Sequence, residues 1–341
     1  MTEDKDGYLW VVGSEALIRF SPERKDTAYF KGNWGMDLVD LDDEIWVCSV
    51  DIGVNIFNKK DGSFMPLKTK GAEKVSSRVK TILKASDGTV FLGSVDKGFY
   101  HLTKEREVLG HYPANGATYG ICSNSILSFF EDSKHNVWIG SVNGNLALFN
   151  LKKRRYEPLT YQLPENVDPN NVTVSSILQD SHDNFWLSTH RFWMLNSNSV
   201  MDAFYYYQKG SADEGSESLS NNVVSSLALL QNSGKVIIGT DGGGLTFFSN
   251  EKGFLGHDFN IGNVVLDIEV ESDSVVWYST WGDGLVKYNL KTNKLQRFRN
   301  DPEDVFTIPS NFINGIHVED SIVWVATDGC GLARLDRRTG K

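Results

Sequence analysis

The chain of 341 residues is short of most features that would settle its class at once. Its three cysteines, Cys48, Cys122 and Cys330, lie far apart without the C-x-x-C spacing of a metal knot, and an odd number cannot pair fully. They are read as buried thiols acting as small apolar side chains. None of the seven histidines stands in an H-x-H or H-E-x-x-H arrangement, so neither a metal site nor a cofactor is expected. Turns such as "DKDG", residues 4–7, carry oxygen ligands without the full spacing of a calcium loop, and read as solvated hairpin turns. Positive charge is scarce as well. Lys plus Arg is 34 against 44 Asp plus Glu, and the formal charge of −10 repels phosphate backbones, which excludes nucleic acid as a partner. No run approaches the ~18 apolar residues of a spanning helix, so no direct membrane insertion is expected. The opening "MTEDKDGYLW" has neither the basic nor the apolar region of a leader. Helical apolar spacing is absent throughout.

What is present is a repeat. Trp10, Trp46, Phe91, Trp138, Trp186, Ile237, Trp277 and Trp324 recur 36 to 51 residues apart, the period of a propeller or another array. Before each anchor lies a polar turn, such as "SKHN", "SDGT" or "DDE", and before the turn an alternating apolar run such as "SILSFF". Two residues after the anchor comes a small side chain: Cys48, Gly93, Gly140, Ser188, Gly239, Ser279 or Ala326. Strand side chains alternate, so anchor and small residue share a face, one filling the gap between sheets and the other permitting close approach. A Ser or Thr follows, then a turn such as "DGGG" or "DGCG", a third strand ending in an aromatic or Leu, and a looser fourth. Four antiparallel strands make a blade. One four-stranded sheet cannot cover both its faces, so blades must stack around an axis in an all-β propeller.

The ends of the chain bear on closure. "MTEDKDGYLW" aligns with "FFEDSKHNVW", which starts the chain inside a repeat, and the last repeat stops after its third strand, giving thirty strands. The count favours seven blades, with eight as the alternative. In the seven-blade solution "TAYFKG", residues 27–32, pairs with "GLARLD" and closes the ring by joining the N- and C-terminal strands. Residues 1–22 are then the remnant hairpin of a preceding blade or propeller, and residues 23–341 the β-propeller itself.

The linkers into the inner strands are distinctive: "GSADEGSESLSNNVVSSL", "NDPEDVFTIPSNFINGI" and "ENVDPNNVTVSSILQD". Joined to the D-x-x-x-x-V-W-I-G-S/T element, they resemble the two-component regulator propeller repeats in the sensor halves of hybrid two-component systems of gut Bacteroidetes, over nearly the whole chain. That resemblance implies a periplasmic sensor of tandem propellers, followed in the parent by a β-sandwich, a membrane helix, a histidine kinase and a DNA-binding regulator. Such sensors respond to glycan fragments. The implied partners are an oligosaccharide or other small ligand and the adjacent propeller and β-sandwich of the parent chain. A homodimer contact is a further use for such a surface.

A non-catalytic sensing module is therefore the leading expectation, with no catalytic residues in this chain. The alternative is a propeller enzyme, similar to streptogramin lyases or cleaving glycans. Glycoside hydrolysis needs two carboxylates converging on one bond, whereas the acids here are scattered through turns. "SHDNFW" is similar to the Asp-box of sialidases, S-x-D-x-G-x-x-W, without its Gly, and no G-x-S-x-G elbow occurs. For ligand binding the second-to-third-strand turns are the informative ones, since packing demands little of them. Trp281 stands where other repeats have Asp241 and Asp328, and His190 and Arg191 occupy a shortened turn. One stacking aromatic beside charged hydrogen-bonding groups suits a sugar, and Asp241, Asp283 and Asp328 could accept its hydroxyl hydrogens.

Overall fold

A computed structural model describes residues 1–13, 15–32, 35–116, 119–144, 146–158, 173–180, 183–189, 194–197, 204–207, 209–210, 218–249, 251–258 and 264–340. Among these the only regular elements are β-strands, in eight antiparallel sheets of which seven have four strands and one has three. Blade 1 comprises Thr2–Glu3, Leu9–Val12, Ala16–Phe20 and Thr27–Lys31. The inner strands of blades 2 to 8 are Asp37–Leu41, Val79–Lys84, Ile126–Glu131, Val174–Gln179, Val224–Leu230, Val265–Ser272 and Ile313–Glu319. Strands follow one another up and down within each blade.

The chain divides into two compact units, blades 1 to 4 and blades 5 to 8, with the break at the start of Val174–Gln179. The repeat pattern does not announce this division. The boundary it suggests, at residue 22, falls inside one sheet.

The expected clasp of chain ends is replaced by a local hairpin. Thr27–Lys31 pairs with Ala16–Phe20, in the register Ala16 to Lys31 and Phe20 to Thr27, and not with Gly331–Asp336. Residues 21–26 explain why. Ser21 Oγ accepts from the amides of Lys25 and Asp26, both at 3.1 Å, and the buried Arg24 guanidinium donates to the carbonyls of Gly7 (2.7 Å) and Ser21 (2.9 Å). Closing a six-residue turn costs far less chain entropy than joining strands some 300 residues apart. Eight sheets, not seven, result, and the opening residues supply a short inner strand through Thr2 to Trp10 and Glu3 to Leu9.

Within each unit the core lies between consecutive blades. Trp10, Leu38, Ile45 and Phe57 fill the space between blades 1 and 2, and Trp277, Leu285, Ile316 and Val325 that between 7 and 8. All eight anchors are buried, as expected of packing residues. The small residue two positions on does what its size suggests: a Cβ on Gly93 would sit 2.9 Å from the Ile126 side chain, and one on Gly239 2.8 Å from that of Val265. The next inner strand comes that close. Of the cysteines, Cys48 occupies such a small position and is buried, whereas Cys122 and Cys330 stand in a lead-in and a turn and are exposed.

A buried indole needs an acceptor, and a carboxylate supplies one. Trp138 Nε1 donates to Asp132 Oδ2 at 2.9 Å, while Oδ1 of the same residue accepts from the amides of Lys134 (2.9 Å) and Asn136 (2.8 Å), shaping the intervening turn. The same bond joins Trp10 to Asp4 (2.8 Å), Trp186 to Asp180 (3.5 Å) and Trp277 to Glu271 (2.6 Å), each with the acid six residues ahead. Trp324 uses Glu319 (3.0 Å) and Trp46 uses Glu44 (2.9 Å). Where the anchor is Phe91 or Ile237, the residue six ahead is Ala85 or Gln231, with no acid. Both lie among bulky rings: Phe91 stacks on His101 at 4.3 Å beside Phe99, Phe129 and Phe149, and Ile237 packs with Phe247 and Tyr278.

Removing the buried Trp138 side chain should leave a cavity in the core. Trp138→Ala is expected to cost about 3–5 kcal/mol, and Asp132→Ala, which strands the indole and two amides, about 1–3 kcal/mol. Chemical denaturation read on the first unit measures both.

His101 yields a second prediction. Burial pushes its imidazole down from 6.5 to about 4, against the pull of Asp87 and with that of Arg154, and its Nε2 bonds the Thr89 hydroxyl at 2.8 Å. Below 6.5 the unfolded chain takes up a proton that the folded one refuses, so stability is lost as pH falls from 6.5 to about 4. The shift corresponds to up to about 3 kcal/mol. Asp37 and Asp267, whose carboxyls burial pushes up, act with the opposite sign, so the diagnostic quantity is a difference between proteins. His101→Gln should flatten the fall in melting temperature across that window relative to wild type, and equal slopes would contradict the assignment.

Candidate functional site

Two polar devices recur at one edge of several blades. At the end of the second strand a hydroxyl closes the following turn onto a glycine carbonyl: Ser94 to Gly98 (3.0 Å), Thr240 to Gly244 (3.1 Å), Thr280 to Gly284 (2.7 Å) and Thr327 to Gly331 (2.7 Å). That is the recurrent Ser or Thr of the sequence. The second device is the lead-in asparagine, whose carboxamide caps the end of the preceding fourth strand. Asn124 accepts from the Ala114 amide (2.7 Å), Asn222 from Lys209 (2.5 Å) and Asn311 from Asn300 (2.7 Å). The main-chain carbonyls of Asn124 and Asn311 accept from Gly98 and Gly284, in the turns of the blades before.

The residue after the hydroxyl then donates its amide to the carbonyl just ahead of the same blade's inner strand: Val95 to Arg78 (3.1 Å), Val142 to Ser125 (2.8 Å), Asp241 to Val223 (2.9 Å), Trp281 to Val264 (2.9 Å) and Asp328 to Phe312 (2.8 Å). Second-to-third turns and inner-strand entries therefore share one edge, the rim on which ligand residues were expected.

On the rim of the second unit Trp281 is 43% exposed and meets Phe312, 45% exposed, ring edge to ring face with centroids 5.1 Å apart at 64°. The two residues also form an isolated antiparallel bridge. Gly282 and Gly284 both donate to the Asn311 carbonyl, at 3.0 and 3.1 Å. Gly284 has φ +81° and lies so close to the Phe298 carbonyl that a Cβ would come within 2.2 Å, so this turn requires glycine. Trp281 thus packs on the neighbouring lead-in and still keeps much of its surface open.

The remaining predicted residues separate into groups. Asp283 is taken by Arg299, which bonds its carboxylate and, at 3.4 Å, its carbonyl, with Arg297 at 3.7 Å from the other oxygen. It is a structural ion pair. Asp328 and Asp241 are exposed, and Asp328 adjoins Phe312 through the main chain. His190 and Arg191 lie outside the described residues. Phe312 was missed by sequence reasoning, although the signal was there: the other blades place Arg78, Ser125, Val223 or Val264 at this position.

A hydroxyl, an imidazole and a carboxylate also meet in the first unit. Ser86 Oγ lies 2.9 Å and Glu131 Oε1 3.1 Å from His135 Nδ1, and Ser86 donates to the same carboxylate. A nucleophile relay needs the hydroxyl and the acid on opposite ring nitrogens. Here both face Nδ1, and Glu131 already holds the Ser86 amide at 2.7 Å, so the cluster ties the first turns of blades 3 and 4 together.

Comparison with known proteins fits this geometry. Residues 120–143 match the model of the family described as "Two component regulator propeller". The stretch takes in the lead-in Asn124, the inner strand of blade 4, the Asp132 turn and Trp138. That stretch is similar to a two-component regulator propeller repeat. A curated relative, "Histidine kinase P4" of Formosa agariphila, is 22% identical over 57% of this chain, and the match spans only 24% of that protein. Among solved structures, the extracellular domain of a putative hybrid two-component system of B. thetaiotaomicron is similar with a TM-score of 0.56 at 17% identity, over 99% of this chain and 50% of that one. PorZ, a surface component of the type-IX secretion system of Porphyromonas gingivalis, is similar with a TM-score of 0.63 at 14% identity, over 99% and 52%. These likenesses establish the propeller fold. Among the described residues no helix is long and apolar enough to cross a membrane.

Exposed aromatic surface at a fixed position has a measurable consequence. The rim indole should report on its surroundings, so Phe312→Leu should red-shift the Trp281 contribution to fluorescence, read as the difference from Trp281→Phe, with melting changed by no more than about 1 kcal/mol.

Proposed function

We propose that the chain is a non-catalytic, extracytoplasmic sensing propeller of a hybrid two-component sensor, that it binds glycan fragments at the rim of blades 6 to 8, and that a kinase module elsewhere in the parent protein reads the bound state. The observation that carries this reading is the Trp281–Phe312 pair. Two large rings are held half exposed by main-chain bonds at an edge where the fold needs only a small polar residue, beside the exposed carboxylate of Asp328. Apolar ring surface with acceptors at its margin is the arrangement that a sugar's apolar face and hydroxyl rim require.

The repeat match and the histidine kinase relative support the signalling context. The disposition of acids supports the absence of catalysis. Asp4, Asp132, Asp180 and Glu271 are occupied by indole and amide hydrogens, and Asp283 by arginine. For Asp4 and Glu271 burial alone would raise the carboxyl, yet the hydrogen bonds and nearby cations outweigh it and hold both below the ordinary range, the reverse of what a general acid needs.

Titration calorimetry with a panel of oligosaccharides tests the proposal, with chromatography of the same mixtures. Saturable binding without product, weakened about tenfold or more in Trp281→Ala at unchanged melting, is expected. Released products would establish an enzyme instead, and equal affinities in wild type and variant would place the site elsewhere.

A further inference from the structure

The rim also carries information about which sugars it takes. We infer that the Trp281–Phe312 platform is a selective site for neutral, hydroxyl-bearing saccharides and rejects uronic-acid and sulfated ones. The inference rests on the proposal that this rim binds glycans.

Three consecutive blades contribute equivalent turns, and their residues after the hydroxyl are Asp241, Trp281 and Asp328. The aromatic stands between two acids. Both acids are exposed, and their amides are anchored to Val223 and Phe312, which fixes where the carboxylates start. Neither carboxylate has a side-chain partner among the described residues. An ionised carboxylate only accepts hydrogen bonds, so it can pair with a sugar hydroxyl but repels a second carboxylate or a sulfate.

The nearby cations do not reverse this. Arg299 is turned into Asp283, meeting that residue's carboxylate with Nη2 and its carbonyl with Nε, so the fork that would clamp an anion is already filled. Arg297 lies 3.7 Å from the other Asp283 oxygen. The lead-in to Phe312 adds Asp301, Glu303 and Asp304, and no cation. Phe312 becomes the second aromatic contact of the site, held by its amide to Ser310 Oγ at 3.1 Å and by the bridge to Trp281.

The test uses pairs of oligosaccharides matched in linkage and length, one neutral and one bearing a uronate or sulfate, titrated calorimetrically into the chain. The neutral member should bind at least fivefold more tightly, since two exposed carboxylates impose a penalty of that order. The ratio should shrink as salt is raised from low to high, because screening removes repulsion and leaves stacking. Asp241→Asn with Asp328→Asn should narrow the ratio to about twofold, whereas Phe312→Leu should weaken neutral sugars roughly tenfold and leave the ratio unchanged.

Tighter binding of the charged members, abolished by Arg299→Ala, would overturn the inference while leaving the glycan-binding reading in place. A ratio untouched by salt and by the double substitution would overturn it as well. Failure of every pair to bind would remove both.

Discussion

The buried indole is the constraint from which the rest of this architecture follows. Six of the eight anchors are Trp, and a Trp between sheets is stabilising only if its one polar hydrogen is satisfied without water. A carboxylate six residues earlier meets the requirement from across the hairpin, and its second oxygen holds the amides of the turn that brings it there. Where the acid stands six residues ahead, in four of the blades, it links the first turn to the buried anchor. Its own charge is offset by cations from neighbouring strands. Lys59 lies 3.0 Å from Asp4 and 2.7 Å from Asp40, and Lys287 and Arg337 converge on Glu271 at 3.1 and 2.6 Å. Lys287 also lies 4.9 Å from the Trp277 ring centroid, so cation, indole and acid form one unit. Phe91 and Ile237, which have no polar hydrogen to satisfy, are the two repeats free of the acid.

The opposite edge of the blade is governed by a different economy of partners. Hydroxyl, glycine and asparagine staple the second-to-third turn to the lead-in through main-chain atoms, leaving the side chain after the hydroxyl with no structural task. That position holds Val95, Val142, Asp241, Trp281 and Asp328 in different blades with the same main-chain bond. The fold tolerates any of them. Function can be written there without disturbing the core, which is why an aromatic at 281 is informative and one at 277 is not.

The repeat, the strand order within blades, the buried anchors and the small residues beside them were all legible in the sequence, because each follows from strand periodicity and side-chain size. The pairing of residues 27–31 was not. A period identifies strands but not which neighbour each chooses, and the tight turn closed by Ser21 and Arg24 depends on side-chain bonds that no period records. Half of the rim was legible in the same sense. Trp281 stood out as a departure from its own repeat, while Phe312 sits 31 residues further on and joins it only through pairing between a turn and the next lead-in. The ion pair at Asp283 was hidden for the same reason: nothing local to "WGDG" shows that Arg299 reaches it from the fourth strand.

Asp132 and Asp328 are the same residue type, each at the start of a turn between strands, and what separates them is the fate of their oxygens. Those of Asp132 receive an indole, two amides and a carboxamide. Those of Asp328 face solvent beside an exposed ring pair. Among the acids, those that hold an indole are consumed by the fold, whereas Asp241 and Asp328 on the rim retain their accepting capacity. On the proposed reading, selection by this rim comes from what a carboxylate can accept and an aromatic face can cover, conditions that an uncharged molecule with hydroxyls at its margin and carbon at its centre meets.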